Sequence, residues 1–166
     1  MNRKMLICGL AGLAVAGCSL KIKPKTDPFY NEVLAANPAH RAALHASGQA
    51  LLTQGRYREA IPYFKKLTAL EPKQTAGWLG WGQCCLELGE YHKASELFAT
   101  ANALAPTLPG LAGQASGLLM EGNPDQARQL AAQLEQKFGP SAPLFRLRGD
   151  IAYIAQDLAA AQKDRK

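Results

Sequence analysis

One spacing constrains this chain more than any other. Trp78, Trp81-Gly82, Cys85, Gly89, Tyr91, Ala94, Phe98 and Pro106 recur, stepped back by 34 residues, as Leu44, Ser47-Gly48, Leu51, Gly55, Tyr57, Ala60, Phe64 and Pro72. A period of that length is the mark of a structural unit that stacks on copies of itself, because one copy alone cannot bury its apolar face. Within each copy the apolar residues fall at helical spacing on both sides of a Gly-polar-aromatic triplet, Gly55-Arg56-Tyr57 and Gly89-Glu90-Tyr91, so each copy predicts two helices joined by a tight turn. Pro72 and Pro106 end the second helix of each pair. Gly82 sits inside the first helix, where glycine costs about 0.8–1.0 kcal/mol against alanine, and so calls for close packing, expected against Ala94 with Phe98 filling the space beside it.

This pattern resembles the tetratricopeptide repeat, a helix A and an antiparallel helix B per 34 residues. The resemblance implies an all-α helical-hairpin solenoid, a right-handed superhelix, over residues 28–166. Two copies are specific, at about 41–74 and 75–108. A third, at about 109–141, is weaker: Ala112, Ala115-Ser116 and Leu119 fit, but the turn Gly122-Asn123-Pro124-Asp125 brings Ala127 one residue early, which predicts a turn shortened by one. A fourth, partial copy at 142–166 fits Phe145, Gly149, Ala152 and Ala161, with a truncated helix B ending in Gln162-Lys163-Asp164-Arg165-Lys166. At the other end Asp27-Pro28 reads as a helix start, and 28–37 as a solitary cap helix with Tyr30 and Val33 in helix B positions. Pro62 falls inside a predicted helix B, where it costs about 3 kcal/mol. A late start of that helix is the simplest accommodation.

Ahead of the repeats, Arg3 and Lys4 precede an apolar run from Met5 to Ala16, too short to span a bilayer and typical of a secretory signal. The run ends in Val15-Ala16-Gly17-Cys18, which resembles the lipobox of bacterial lipoproteins. That resemblance implies a signal peptide over 1–17, cleavage before Cys18, acyl chains on its thiol and new amino terminus, and a lipidated tether over 18–27. Ser19, rather than an aspartate, follows the cysteine. By the sorting pattern of such lipoproteins this implies the outer membrane, facing the periplasm, with surface exposure also compatible.

Charge narrows the partners further. Of the 19 lysines and arginines, Arg3 and Lys4 leave with the signal, so 17 basic residues face 13 acidic ones in the remainder, a mild excess. Lys21, Lys23 and Lys25 lie in the tether, either solvated or facing anionic groups at the membrane surface. No basic helical face is evident, so nucleic acid is not expected as a partner. Cys84 and Cys85 are adjacent, about 100° apart on a helix, and read as two buried thiols. His40 and His45, five apart, do not face one another. No nucleophile elbow, phosphate loop or metal-ligand spacing occurs, so no enzyme activity, no metal and no cofactor beyond the lipid on Cys18 is expected.

The tetratricopeptide resemblance implies a concave groove lined by positions 2, 5, 9, 12 and 13 of each helix A. In the first copy these are Ala42, His45, Gln49, Leu52 and Thr53; in the second, Ala76, Leu79, Gln83, Leu86 and Glu87. Carried on at the same step, the third contributes Gly110, Gly113, Gly117, Met120 and Glu121; the fourth, reached after the one residue counted as lost in the third, contributes Arg146, Asp150 and Tyr153. The three glycines either leave room for a partner's backbone or pack against a neighbouring helix. Such a surface suits an extended or helical peptide segment of an envelope protein. Short lipoproteins of this design resemble the pilot and assembly lipoproteins of type IV and tight-adherence (Flp) pili, which implies a secretin or pilus component as partner. The alternative role is an adaptor for cell-wall enzymes or proteases.

Overall fold

The structure, a computed structural model, describes residues 28–163, with side chains from Phe29 to Ile154. The signal sequence, Cys18, the tether lysines and the polar 164–166 terminus lie outside the described residues. Eight helices follow one another: α1 (Pro28–Ala36), α2 (Arg41–Thr53), α3 (Tyr57–Leu70), α4 (Thr75–Glu87), α5 (Tyr91–Leu104), α6 (Leu108–Met120), α7 (Pro124–Phe138) and α8 (Ala142–Lys163). Among the described residues there is no strand, and no helix is long and apolar enough to cross a membrane. The architecture is an all-α helical-hairpin solenoid.

Each helix packs on its sequence neighbours, and α2, α4, α6 and α8 also touch in series. Those four helices A therefore form one layer, with α3, α5 and α7 as helices B forming the other. The turns between α2 and α3, α4 and α5, and α6 and α7 all hold three residues and pivot on Gly55, Gly89 and Gly122, whose φ angles of 72°, 77° and 86° lie where a side chain is strained. In each turn a helix A carbonyl accepts from the amide of the last turn residue, just ahead of helix B: Arg56 N–H donates to Leu51 O, Glu90 to Cys85 O and Asn123 to Leu118 O, at 2.9 Å each time. The first helix A starts on a side-chain cap, His40 Nδ1 accepting from Ala43 N at 3.2 Å, and α6 starts on Thr107 Oγ1 accepting from Gly110 N at 3.1 Å.

Three expectations are corrected. The first concerns the third repeat. Its intra-repeat turn keeps three residues; the missing residue lies instead between repeats, where 105–107 joins α5 to α6 while 71–74 joins α3 to α4. Helix α6 therefore starts 33 residues after α4, Leu108 against Thr75, and every helix A position in it moves by one.

The second concerns the fourth copy. Helix α8 runs unbroken from Ala142 to Lys163, so the expected break into a helix A and a truncated helix B is absent. The residue that corresponds to Gly122 of the third turn is Gln156, which cannot take a positive φ without strain, and good helix formers follow it. The third concerns Pro62, which lies inside α3, a helix that begins at Tyr57 and not later. Pro62 is exposed, while Ala60, Phe64, Leu67 and Thr68 on the opposite face are buried, so packing of that face outweighs the lost hydrogen bond.

Packing between repeats rests on two phenylalanines. Phe64 of α3 is fully buried between Gly48 of its own helix A and Gly80 of the next: a Cβ added at Gly48 would lie 2.9 Å from the ring, and one at Gly80 within 2.5 Å. Phe98 of α5 repeats the arrangement, with Gly82 at 3.2 Å and Gly113 at 2.5 Å. The small partner expected for Gly82 was Ala94; the atoms that actually crowd it belong to the Phe98 ring. Each aromatic thus couples one repeat to the next, and glycine is required because a ring face occupies the space of a side chain.

Candidate partner-binding groove

The groove face is built from the sides of the helices A that point away from the helices B. In α2, His45, Gln49 and Leu52 are half-buried and Ala42 and Thr53 exposed, the Thr53 hydroxyl donating to Ala50 O at 2.9 Å. In α4, Ala76, Leu79, Gln83 and Leu86 are half-buried and Glu87 is exposed, with Gln83 Nε2 donating to Glu87 Oε1 at 2.7 Å. Leu52 rests on the cluster of Leu51, Ala60, Phe64 and Cys84. Leu79 and Leu86 rest on that of Cys85, Ala94, Leu97 and Phe98. The leucines are therefore anchored underneath and open above, beside amides that both donate and accept.

The third helix A departs from expectation because of the 33-residue step. Gly113 and Gly117 do not line the groove. Gly113 lies under the Phe98 ring, and a Cβ on Gly117 would sit 3.2 Å from Ser95 Cβ and 3.3 Å from the Tyr91 carbonyl oxygen, while Gly110 packs on Asn102. Of the two readings of this glycine row, the structure has the packing one. Glu121 also leaves the groove: its carboxylate accepts from Ser95 Oγ at 2.5 Å and lies 3.4 Å from His92 Nδ1, which ties the end of α6 to α5. The positions in register with Leu79, Gln83, Leu86 and Glu87 are Ala112, Ser116, Leu119 and Met120. Ala112 and Leu119 are buried, so Ser116 and the 51% exposed Met120 are what this repeat presents. The glycines themselves carry the signal for this correction, since Gly77 and Gly80 recur as Gly110 and Gly113 at a step of 33.

In α8, Arg146, Asp150 and Tyr153 are all exposed and in register with Leu79, Gln83 and Leu86. Among the helix A positions so aligned, this is where charge of both signs enters.

The chemistry of the neighbouring core is inert. Cys84 and Cys85 are fully buried and serve different clusters, Cys84 beside Phe64 and Cys85 beside Phe98. Burial pushes the Cys84 thiol up to about 12, with further repulsion from Cys85, and burial pushes Cys85 up to about 11. Both are protonated at neutral pH and are not nucleophiles there. Among the described residues no group of three His, Cys, Asp or Glu side chains is placed to hold a metal. Trp78 and Trp81 stack 6.3 Å apart at 16°, Lys65 and Lys93 lie 4.9 and 5.7 Å from the Trp81 ring, and Trp78 Nε1 donates to Pro72 O at 3.0 Å. This aromatic pair pins the inter-repeat loop and belongs to the framework.

A second concavity, not anticipated from the sequence, lies on the helix B side. A cleft of about 720 Å³ opens between α5, α6 and α7, lined by Leu111, Leu130 and the amides of Asn102, Gln114 and Gln133. Asn102 Nδ2 donates to Gln114 Oε1 at 2.9 Å across its floor. The shortened 105–107 loop, with Pro106 in the wall, borders it.

Residues 51–112 match the family model of the tetratricopeptide repeat. No curated protein matches the chain. Several solved structures are similar. A chain of the APC/C hetero-tetramer Cut9–Hcn1 superposes with a TM-score of 0.69 at 22% identity, over 81% of this chain and 26% of that one. The second tetratricopeptide domain of human RPAP3, solved with the HSP70 peptide SGPTIEEVD, gives 0.64 at 15% identity, over 69% and 98%. A tetratricopeptide repeat protein from Parabacteroides merdae gives 0.61 at 26% identity, over 82% and 52%. This chain thus spans about a quarter of the first of these and about half of the last. With the repeat matched over 51–112 and the superhelix over most of the chain, the fold is that of a tetratricopeptide-repeat solenoid.

Proposed function

We propose that the chain is a protein-interaction scaffold, tethered to the bacterial envelope membrane by a lipid on Cys18, that holds a segment of another envelope protein on its helix A face during assembly of a pilus or secretion apparatus. The observation that carries the groove assignment is the row of half-buried leucines, Leu52, Leu79 and Leu86, flanked by Gln49 and Gln83 on adjacent helices. Anchored apolar side chains with intervening amides suit an extended or helical segment, the leucines taking its apolar side chains and the amides its backbone. The RPAP3 domain of similar fold is solved with a peptide, which supports this type of occupant. The groove residues of α2 and α4 include no lysine or arginine. An occupant that depends on a basic clamp for its carboxylate is therefore not favoured. The anchor rests on Val15-Ala16-Gly17-Cys18 and the apolar run before it.

Fractionation and affinity purification of the tagged full chain from detergent-solubilised membranes test both halves. Wild type is expected in the membrane fraction with a secretin or pilus component, and Cys18→Ala in the soluble periplasm. Continued membrane fractionation of Cys18→Ala removes the lipid anchor. Recovery of cell-wall enzymes in place of pilus or secretion proteins removes the assembly role and leaves the adaptor reading.

A further inference from the structure

The outer face of α3 carries a basic stripe that no reading along the chain reveals. From Arg56 to Lys73 the sequence mixes basic residues with Glu59 and Glu71, so no basic face stands out. The structure draws both carboxylates aside: Glu59 pairs with Arg56 at 2.5 Å and Glu71 with Arg41 at 2.7 Å. Arg58, Lys65 and Lys66 remain, all exposed, and make no ion pair with a described residue. At about 100° per residue they fall with Pro62 and Ala69 in an arc of about 100°, opposite the buried Ala60, Phe64 and Leu67. Lys65 lies 4.9 Å from the Trp81 ring, and Lys93 of α5 reaches the same ring at 5.7 Å. Glu90, which the field of Arg58 also reaches, is held by Lys93 at 3.1 Å. The patch therefore keeps an excess of positive charge.

The other helices B lack it. The positions that match Arg58, Lys65 and Lys66 are His92, Ala99 and Thr100 in α5, and Asp125, Ala132 and Gln133 in α7. His92 itself lies 3.5 Å from Glu96 and 3.4 Å from Glu121. The basic helix B is also the one beside the first described helix, since Pro62 and Lys66 border a cleft with Asn31 and Leu34 of α1. Ten residues, 18–27, precede α1 and include Lys21, Lys23 and Lys25. Fully extended, such a segment reaches about 33–36 Å. A chain held at Cys18 thus keeps α1, and α3 beside it, near a bilayer whose anionic headgroups attract clustered cations at short range. Cations spread over the convex side of a helix match a charged plane, whereas a peptide needs a groove or a sheet edge.

We propose that the outer face of α3 rests on an anionic lipid headgroup surface, with Arg58, Lys65 and Lys66 at the phosphates, and so turns the helix A groove away from the bilayer. This rests on the lipid anchor at Cys18, which brings the face to the surface; the face then sets the orientation. Helices A and B form opposite layers, so a solenoid lying on α3 presents Gln49 and Gln83 to the aqueous side.

Lysine acylation read by mass spectrometry tests it on the full chain reconstituted in vesicles of phosphatidylcholine, alone or with an equal amount of phosphatidylglycerol. With phosphatidylglycerol, labelling of Lys65 and Lys66 is expected to fall at least about fivefold and to recover at about 1 M salt, where the Debye length is about 3 Å. Lys137, on α7, is expected to label equally on both. In Arg58→Glu with Lys66→Glu, both exposed changes, Lys65 is expected to lose its protection. Equal labelling of Lys65 and Lys66 on the two vesicles overturns the proposal, as does equal protection of Lys137 or protection of Lys65 that survives the double reversal. Protection in native envelope membranes but not on phosphatidylglycerol vesicles also overturns it and gives the face to a protein. Flotation separates the anchor from the face. A chain absent from phosphatidylcholine vesicles removes the lipid at Cys18; if it still floats with phosphatidylglycerol and Lys65 and Lys66 are protected, the face stands, and absence from both overturns both.

Discussion

Replacing Phe98 by alanine is expected to cost about 3–5 kcal/mol and to uncouple the third repeat from the second. The ring is 2% exposed and sits between Gly82 of α4 and Gly113 of α6, neither of which has a side chain that can move into the space. The cavity therefore persists instead of collapsing, the condition under which large-to-small changes cost most. Because stability in a solenoid is close to a sum of repeat terms and interface terms, the loss falls on one interface. Chemical denaturation followed by hydrogen exchange should show α6 to α8 exchanging at lower denaturant than α2 to α4, where wild type unfolds together. A single transition at the wild-type midpoint counts against the coupling role of this ring.

Gly80 gives an effect of the opposite chemistry and comparable size. In an exposed helix a Gly→Ala change gains about 1 kcal/mol. Here a Cβ would lie within 2.5 Å of Phe64, which is fully buried and has Gly48 on its other face. Gly80→Ala is therefore expected to lose about 1–3 kcal/mol and Gly80→Leu more, through overpacking. Gly82→Leu is expected to be milder, since its Cβ would lie 3.2 Å from the Phe98 ring, a tight contact that a shift of a few tenths of an ångström relieves. Melting temperatures in the order wild type, Gly82→Leu, Gly80→Leu, from high to low, are the expected result. An unchanged or raised melting temperature for Gly80→Ala shows that Phe64 is not clamped as described.

How much of this was legible in the sequence follows from which residues leave marks. In the first two repeats the turn glycine, the aromatic after it and the helix B phenylalanine are each dictated by geometry, and they give the period directly. The third repeat has Pro124 where the others have tyrosine, and its helix A is a run of Gly, Ala and Leu. Small residues fit either of two neighbouring registers, so a step of 34 runs one residue too far there and places Gly113, Gly117 and Glu121 in the groove. The contact that fixes the register, Phe98 on Gly113, spans two helices and is invisible to a pattern read along the chain. The unbroken α8 was hidden differently. Phe145 and Gly149 do hold helix A positions, but the turn that would follow has no glycine. The register of Arg146, Asp150 and Tyr153 is unaffected, because the sequence reading drops the same single residue, placing it within the third repeat instead of ahead of it.

The placement of the binding face carries the rest of the account, and the cleft on the helix B side is its direct competitor. A photoreactive amino acid in place of Gln83, in the groove, and in a second chain in place of Gln133, in the cleft, compares the two in the native membrane. Crosslinking to an envelope protein from position 83, with none from 133, is the predicted result. Crosslinking from position 133 with none from 83 contradicts it and moves the binding face to the cleft between α5 and α7.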